Sequence, residues 1–291
     1  MPVPPILRLL RPAQWVKNAF VLLPLFFGQQ MTDMHLLVRA LVAALVFSLA
    51  ASAVYCLNDI LDREADAQHP TKCRRPIASG AVSVTAGWTL CATCVALAAT
   101  LTWWLLPSSM LWLMAAYLVL NVAYSSWLKH ISLVDVLVVA AFYVMRVEAG
   151  SLTTGIALSH WLVVMTFLLA LLLVLGKRRD DVVLQAESGK VVRRGVASYN
   201  IEFINMALTM VATITMVAYM MYTMSDEVIT RLDNRHIYCT SVFALAGILR
   251  YLQITLVENK SGSPTRVLAH DRFIQVCLAC WVLAFVIIIY C

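Results

Sequence analysis

Four oxygen-bearing side chains recur at short intervals in Asn58-Asp59-Ile60-Leu61-Asp62-Arg63-Glu64-Ala65-Asp66. The segment follows an apolar run directly. If the helix continues, 100° per residue places Asn58, Asp59, Asp62 and Asp66 within about a 100° arc. Carboxylates on one such stripe repel one another unless a cation sits among them. A hard divalent ion, Mg²⁺ above all, takes these oxygens and shares its remaining positions with phosphates. The other reading is a solvated helix end whose acids are balanced by Arg63, Lys72, Arg74 and Arg75. Those same cations beside a metal form the recurring combination that holds a pyrophosphate.

The elements that must position this motif are apolar. Of 291 residues, 62% are hydrophobic and 13% charged, with a mean hydropathy of +0.82. A soluble domain carries about 25% charged residues, so too few are present to coat a globule of this size. The same figures exclude a disordered chain, a collagen, a coiled coil and a disulfide scaffold. The expected class is an all-α integral membrane protein. Its net charge of +6 suits loops facing membrane lipids of an anionic leaflet, or anionic substrates, and no nucleic acid partner is expected. Eight cysteines include the pairs Cys91/Cys94 and Cys277/Cys280, which read as small apolar residues on one helix face. The start, 1–18, is basic and Pro-rich and lacks a cleavage pattern, so the first span is expected to stay in place.

A span needs about 20 mostly apolar residues. Nine stretches qualify, at roughly 16–31, 36–57, 86–106, 109–128, 132–150, 158–176, 203–223, 236–256 and 273–290. With the N-terminus in the cytoplasm, 17 of the 22 Lys and Arg residues fall on the cytoplasmic side, including Lys190, Arg193, Arg194, Lys260 and Arg266. Only Arg39, Arg231 and Arg235 fall outside, and Arg146 and Arg250 lie within spans. Basic residues retained inside select this orientation. The long polar loops then share one membrane face, as suits an enzyme drawing on a cytosolic substrate. A lipid carrier or transporter would show broken helices and midplane polar pairs in both halves.

The pattern N-D-x-x-D-x-x-x-D, followed by Lys72-x-x-Arg75-Pro76-Ile77-Ala78-Ser79-Gly80, resembles the UbiA superfamily of intramembrane prenyltransferases. The resemblance runs over the whole chain. It implies a bundle of nine transmembrane helices, a single transferase domain over 1–291, a multi-pass protein of the cell (inner) membrane and Mg²⁺ bound through the aspartates. One departure stands out. Quinone-type members carry a second D-x-x-x-D between the sixth and seventh helices, where this chain reads Gly176-Lys177-Arg178-Arg179-Asp180-Asp181. That departure is similar to a branch that transfers phosphoribosyl groups. So are Arg11-Pro12-Ala13-Gln14-Trp15-Val16-Lys17-Asn18, the stretch Leu175-Gly176-Lys177-Arg178, the motif from Tyr124 to His130, and Ile248-Leu249-Arg250-Tyr251. In that branch the donor is phosphoribosyl pyrophosphate, the acceptor is a polyprenyl (decaprenyl) phosphate, and the product feeds cell-envelope arabinose precursors. The alternative is an aromatic-acceptor polyprenyltransferase of quinone or haem biosynthesis.

On this resemblance Asn58, Asp59, Asp62 and Asp66 hold Mg²⁺ and its water shell, Asp62 and Asp66 being the catalytic pair, and Asp181 contributes where the second motif is missing. Lys17, Lys72, Arg75, Lys129, Lys177 and Arg178 are expected to bind phosphates, and Asn18 and Tyr124 to hydrogen-bond the ribose or pyrophosphate. Arg8 and Arg11 read equally well as membrane anchors. Arg146 and Glu148 sit in an otherwise apolar span, where a charge costs roughly 2.5–3.5 kcal/mol on insertion scales. Lipid exposure is therefore unfavourable: the two charges either satisfy nearby polar groups structurally or line the cavity, and Arg146 is expected among the substrate-binding residues. Asp135 reads either as a site acid or, equally, as a helix-start acid near the positive end of the dipole. A homo-oligomer remains compatible with all of this.

Overall fold

The computed structural model describes residues 4–68, 72–188, 199–259, 267 and 269–290. Lys190, Arg193, Arg194, Lys260 and Arg266 lie outside the described residues. Every regular element among the described residues is helical. The helices are α1 (Pro5–Leu10), α2 (Leu23–Phe27), α3 (Met34–Leu61), α4 (Arg63–Ala67), α5 (Val84–Leu105), α6 (Ser108–Ser126), α7 (Val134–Thr154), α8 (His160–Ser188), α9 (Ile201–Met224), α10 (Asp226–Leu232), α11 (Ser241–Leu256) and α12 (Arg272–Tyr290). Seven helical segments are long and apolar enough to cross a membrane: α3, α5, α6, α7, α8, α9 and Ile237–Leu256. A shorter apolar helix covers Arg272–Ile288.

The stretch expected as a first span, 16–31, is not one α-helix. A 3-10 helix, Pro12–Leu22, gives way to α2. Long 3-10 runs are uncommon because their hydrogen-bond geometry is poor, and here side chains tie the run to α3. Trp15 Nε1 donates to Ser52 Oγ at 3.1 Å, and Asn18 Nδ2 donates to Ser48 Oγ at 2.8 Å. Ser48 and Ser52 lie one turn apart on α3, so the 3-10 helix runs antiparallel along that face.

Two compact units emerge, 1–126 with 145–158, and 127–144 with 159–291. In the first, α3 is central. Asp33 caps it by accepting from the His35 and Leu36 N–H groups, which satisfies two of the donors a helix start leaves open. Its buried positions are rich in Ala and Ser, including Ala40, Ala43, Ala50, Ala53, Ser48 and Ser52. Small residues let helix backbones approach closely where lipid supplies no hydrophobic drive between helices. Gly150 serves the same purpose near the end of α7, since a Cβ there would lie 2.0 Å from the Val21 carbonyl oxygen.

The second unit is built on α8, α9 and α11, whose core includes Leu172, Leu175, Ile204, Leu208, Tyr251 and Ile254. At 29 residues, α8 runs about 44 Å, well beyond a hydrocarbon core of about 30 Å. Its polar end is held by Arg179, which donates to the carbonyls of Thr255 and Leu256 and to Oδ1 of Asn205 and Asn259. The carbonyls of Thr255 and Leu256 are the acceptors that the end of α11 leaves without helical partners. Arg179 is therefore a helix-capping side chain.

Candidate active site

In the first unit the acidic motif straddles the end of α3. The helix pauses at Asp62 (φ −91°, ψ 4°), yet Asp62 N–H still bonds the Asn58 carbonyl and Asp66 N–H the Asp62 carbonyl, at 2.9 and 2.8 Å. The turn spacing thus survives the break. Asp59 and Asp66 point inward, at 1% and 3% exposure, while Asn58 and Asp62 are half-buried.

Arginines neutralise the two inner carboxylates. Arg75 Nη1 lies 2.6 Å from Asp66 Oδ2 and 3.4 Å from Asp59 Oδ1, bridging the pair. Arg11 Nη2 reaches Asp59 Oδ1 at 2.6 Å, and its guanidinium stacks over the Tyr55 ring at 4.8 Å. The loop carrying Arg75 is anchored by buried Pro76 and by Ile77, which packs with Leu9, Cys56, Ile60 and Val82 beneath the site. Arg8 secures α1 to the same loop by donating to the Arg74 carbonyl at 3.1 Å. Lys72 is half-buried on the loop's 3-10 turn.

Among the described residues no three His, Cys, Asp or Glu side chains converge as a ready-made metal group. The chemistry of the donor set nonetheless fits a hard cation. Oδ2 of Asp59 and Oδ1 of Asn58 are buried without a hydrogen-bond partner, and buried oxygens of this kind are costly unless something binds them. Both are ligands that Mg²⁺ accepts.

Arg146 lies deeper in the same unit and is buried. Its Nε donates to Asn18 Oδ1 at 2.8 Å and Nη2 to the Tyr117 hydroxyl at 3.3 Å. The guanidinium lies 5.5 Å from the Tyr117 ring centroid and 5.9 Å from that of Phe47. Asn18, expected to meet substrate, instead has both amide ends engaged, by Ser48 and Arg146. Lys17 and Tyr124 are half-buried, at the 3-10 helix and near the end of α6.

In the second unit Asp135 is fully buried and accepts from Arg178 Nε at 2.6 Å. Arg178, also buried, donates from Nη1 to Asp181 at 2.9 Å. Tyr199 completes the group. Its hydroxyl donates to Asp135 Oδ1 at 3.3 Å and accepts the Leu133 N–H at 2.6 Å. Leu133 has φ 65°, a strained value for a bulky residue, and it lies four residues beyond Lys129. Burial pushes the Tyr199 phenol above its usual range. Lys177, next to Arg178, is exposed, and Lys129 is half-buried on a 3-10 turn.

Two of the motifs singled out above meet in this unit. The Tyr251 hydroxyl oxygen lies 2.1 Å from where a Cβ on Gly176 would stand, and that hydroxyl donates to the Leu173 carbonyl at 3.4 Å. Neighbouring Arg250 pairs with Asp271 at 2.8 Å and Glu258 at 2.9 Å. Gly176→Ala is therefore expected to destabilise the protein by about 1–3 kcal/mol through overpacking. Adding Tyr251→Phe, which deletes the clashing oxygen, should restore part of that loss. Thermal unfolding of the single and double variants checks this, and a double variant no more stable than Gly176→Ala would refute it.

Spacing did not reveal Arg11, Ser48, Tyr117 or Tyr199, and it left Asp135 open between a helix-start acid and a site acid. Membership of the 11–18 motif was the one signal for Arg11.

Residues 19–181 match the model of the UbiA prenyltransferase family. The chain is 32% identical over 287 residues to a decaprenyl-phosphate phosphoribosyltransferase of Mycobacterium tuberculosis, covering 95% of this chain and 91% of that protein. Its counterpart in Corynebacterium glutamicum is 30% identical over 288 residues, covering 98% and 86%. A UbiA homologue from Archaeoglobus fulgidus, solved bound to DMAPP and Mg²⁺, shares the fold at a TM-score of 0.70 and 20% identity, with 98% of each chain covered.

Proposed function

This chain belongs to the UbiA prenyltransferase family, and on that premise we propose that it is a Mg²⁺-dependent phosphoribosyltransferase. It moves 5-phosphoribosyl from phosphoribosyl pyrophosphate to a polyprenyl phosphate and releases pyrophosphate. The observation that carries this reading is the full-length similarity to decaprenyl-phosphate phosphoribosyltransferases. The absence of a second D-x-x-x-D after residue 66 supports it. The chain acts as one transferase domain with its N-terminus and active site on the cytoplasmic side. The segments around 16–31 and 272–290 complete nine membrane passes.

Asn58, Asp59, Asp62 and Asp66 hold the metal, which supplies charge neutralisation for the departing pyrophosphate when bound. Arg75, Lys72, Lys17, Lys129 and Lys177 bind donor phosphates, and Tyr124 hydrogen-bonds the ribose. Arg178 and Asp181, bonded to each other, set the position of Lys177, while Arg146, held by Asn18, places a buried cation in the first unit. In the reaction the C1–oxygen bond to pyrophosphate breaks through an oxocarbenium-like transition state, and an oxygen of the lipid phosphate closes on C1. That phosphate is already anionic, its second pKa being about 6, so no general base is needed. Rate comes from positioning and from charge stabilisation on the leaving group.

Purified protein given labelled phosphoribosyl pyrophosphate, Mg²⁺ and decaprenyl phosphate should yield a labelled lipid. Activity only with a prenyl pyrophosphate and an aromatic acid would select the quinone-type alternative. Lys17→Met and Lys129→Met should each raise the donor KM about tenfold or more, by loss of a charge-assisted phosphate contact. The KM for polyprenyl phosphate should move much less, and the reverse split would assign both lysines to the acceptor. Cysteine labelling at Asp233 should report an external position, and labelling from the cytoplasmic side would invert the topology.

A further inference from the structure

We propose that Arg11 is the charge-exchange residue of the donor site. Its guanidinium neutralises Asp59 in the metal-free protein and transfers to a donor phosphate once the cation takes its place, so metal and donor bind synergistically. This inference rests on the reading of the metal and pyrophosphate site given above.

Four observations converge on Arg11. Asp59 is buried at 1% exposure while the Arg11 side chain is 28% exposed, so the cation is the partner free to move. Arg11 engages only Oδ1 of Asp59, and Oδ2 is buried without a hydrogen-bond partner, which leaves the carboxylate half used. The Arg11 backbone adopts φ 52° and ψ 57° between α1 and the 3-10 helix, the left-handed cap that ends α1 and an uncommon conformation for a non-glycine residue. The Tyr55 ring, 4.8 Å from the guanidinium, offers a face on which the charge can rest while its partner changes.

The energetics favour exchange over addition. A buried carboxylate must be paired, and without metal Arg11 does this, assisted by Arg75 at 3.4 Å. A divalent cation on Asp59 meets repulsion from a guanidinium 2.6 Å from the same group, so metal alone binds against Arg11. A pyrophosphate brings oxygens that match the guanidinium fork bidentately. Once Arg11 swings to them, the repulsion becomes attraction. By linkage each ligand then raises the affinity of the other by the same factor.

The test uses the full chain in detergent without lipid acceptor, so no turnover occurs. Mn²⁺ binding is followed by electron paramagnetic resonance with and without phosphoribosyl pyrophosphate. In the wild type the donor should tighten Mn²⁺ about tenfold or more, within the usual range of coupling. In Arg11→Met, Mn²⁺ alone should bind more tightly than in the wild type, and the donor effect should fall to about threefold or less. Wild-type coupling in Arg11→Met, or weaker binding of Mn²⁺ alone, overturns the proposal. If Arg11→Met is not recovered folded, Arg11→Lys, which keeps the charge but loses the fork and the stacking, should show reduced coupling; unchanged coupling there is equally decisive against exchange. If the wild type couples Mn²⁺ to geranyl pyrophosphate and not to phosphoribosyl pyrophosphate, and Arg11→Met removes that coupling, the donor assignment fails while the exchange stands.

Discussion

Asp66→Asn lowers turnover at least about a hundredfold, the scale on which charge-stabilising groups act in the transition state. The substitution is nearly isosteric. Asn still offers Oδ1 to Arg75, now bonded to Asp66 at 2.6 Å, and Arg75 keeps its approach to Asp59. The fold should therefore survive with a stability change of about 1 kcal/mol, the worth of a typical hydrogen bond. What is lost is one of two inward charges able to hold a divalent ion beside a pyrophosphate. Asp62→Asn, at the half-buried turn of the motif, should be comparably severe. The measurement is formation of labelled lipid at several Mg²⁺ concentrations, alongside a thermal melt. Near-normal turnover at ordinary Mg²⁺ would remove the substituted residue from the metal set. Chelation with EDTA should likewise stop the wild-type reaction, with Mg²⁺ or Mn²⁺ restoring it.

Asp135→Leu is expected to have the largest effect on stability, about 3–5 kcal/mol, because it leaves the buried guanidinium of Arg178 without its main counter-charge. Asp135 is 0% exposed and Arg178 2%, so water cannot take over the lost contact. The same change frees the Tyr199 hydroxyl from its acceptor and loosens its hold on the strained Leu133 backbone. A double variant, Asp135→Leu with Arg178→Met, removes both charges and should regain most of the stability, as replacing a buried pair by apolar residues often does. Its turnover should stay low, because in the proposed mechanism Lys177 and Lys129 take their positions from this framework. Unfolding curves and turnover measured on the three variants separate the two roles. A double variant restored in both would make the Asp135–Arg178 pair purely structural.

The membrane class, seven of the nine expected spans and the acidic motif were determined by the sequence alone, because each depends on local chemistry. Runs of about 20 apolar residues specify helices in lipid, where every backbone group must be satisfied within its own segment. The spacing of Asn58, Asp59, Asp62 and Asp66 needs only helical geometry to be read, and it survives the pause at Asp62 because the backbone bonds continue through it. Packing decided the rest. Hydropathy treats Arg11 and Arg8 as equivalent anchors, yet only Arg11 lies against Asp59, 48 residues away. It does so because Trp15 and Asn18 bond the 3-10 helix to Ser52 and Ser48. Those same tertiary bonds explain why 16–31, apolar enough to suggest a span, does not form one α-helix. Asp135 resembles a helix-start acid until α8 brings Arg178 to it across 43 residues, and Arg146 meets Asn18 across 128. Which cation neutralises which buried carboxylate is a property of helix faces brought together. A single chain carries no periodic or compositional trace of that choice.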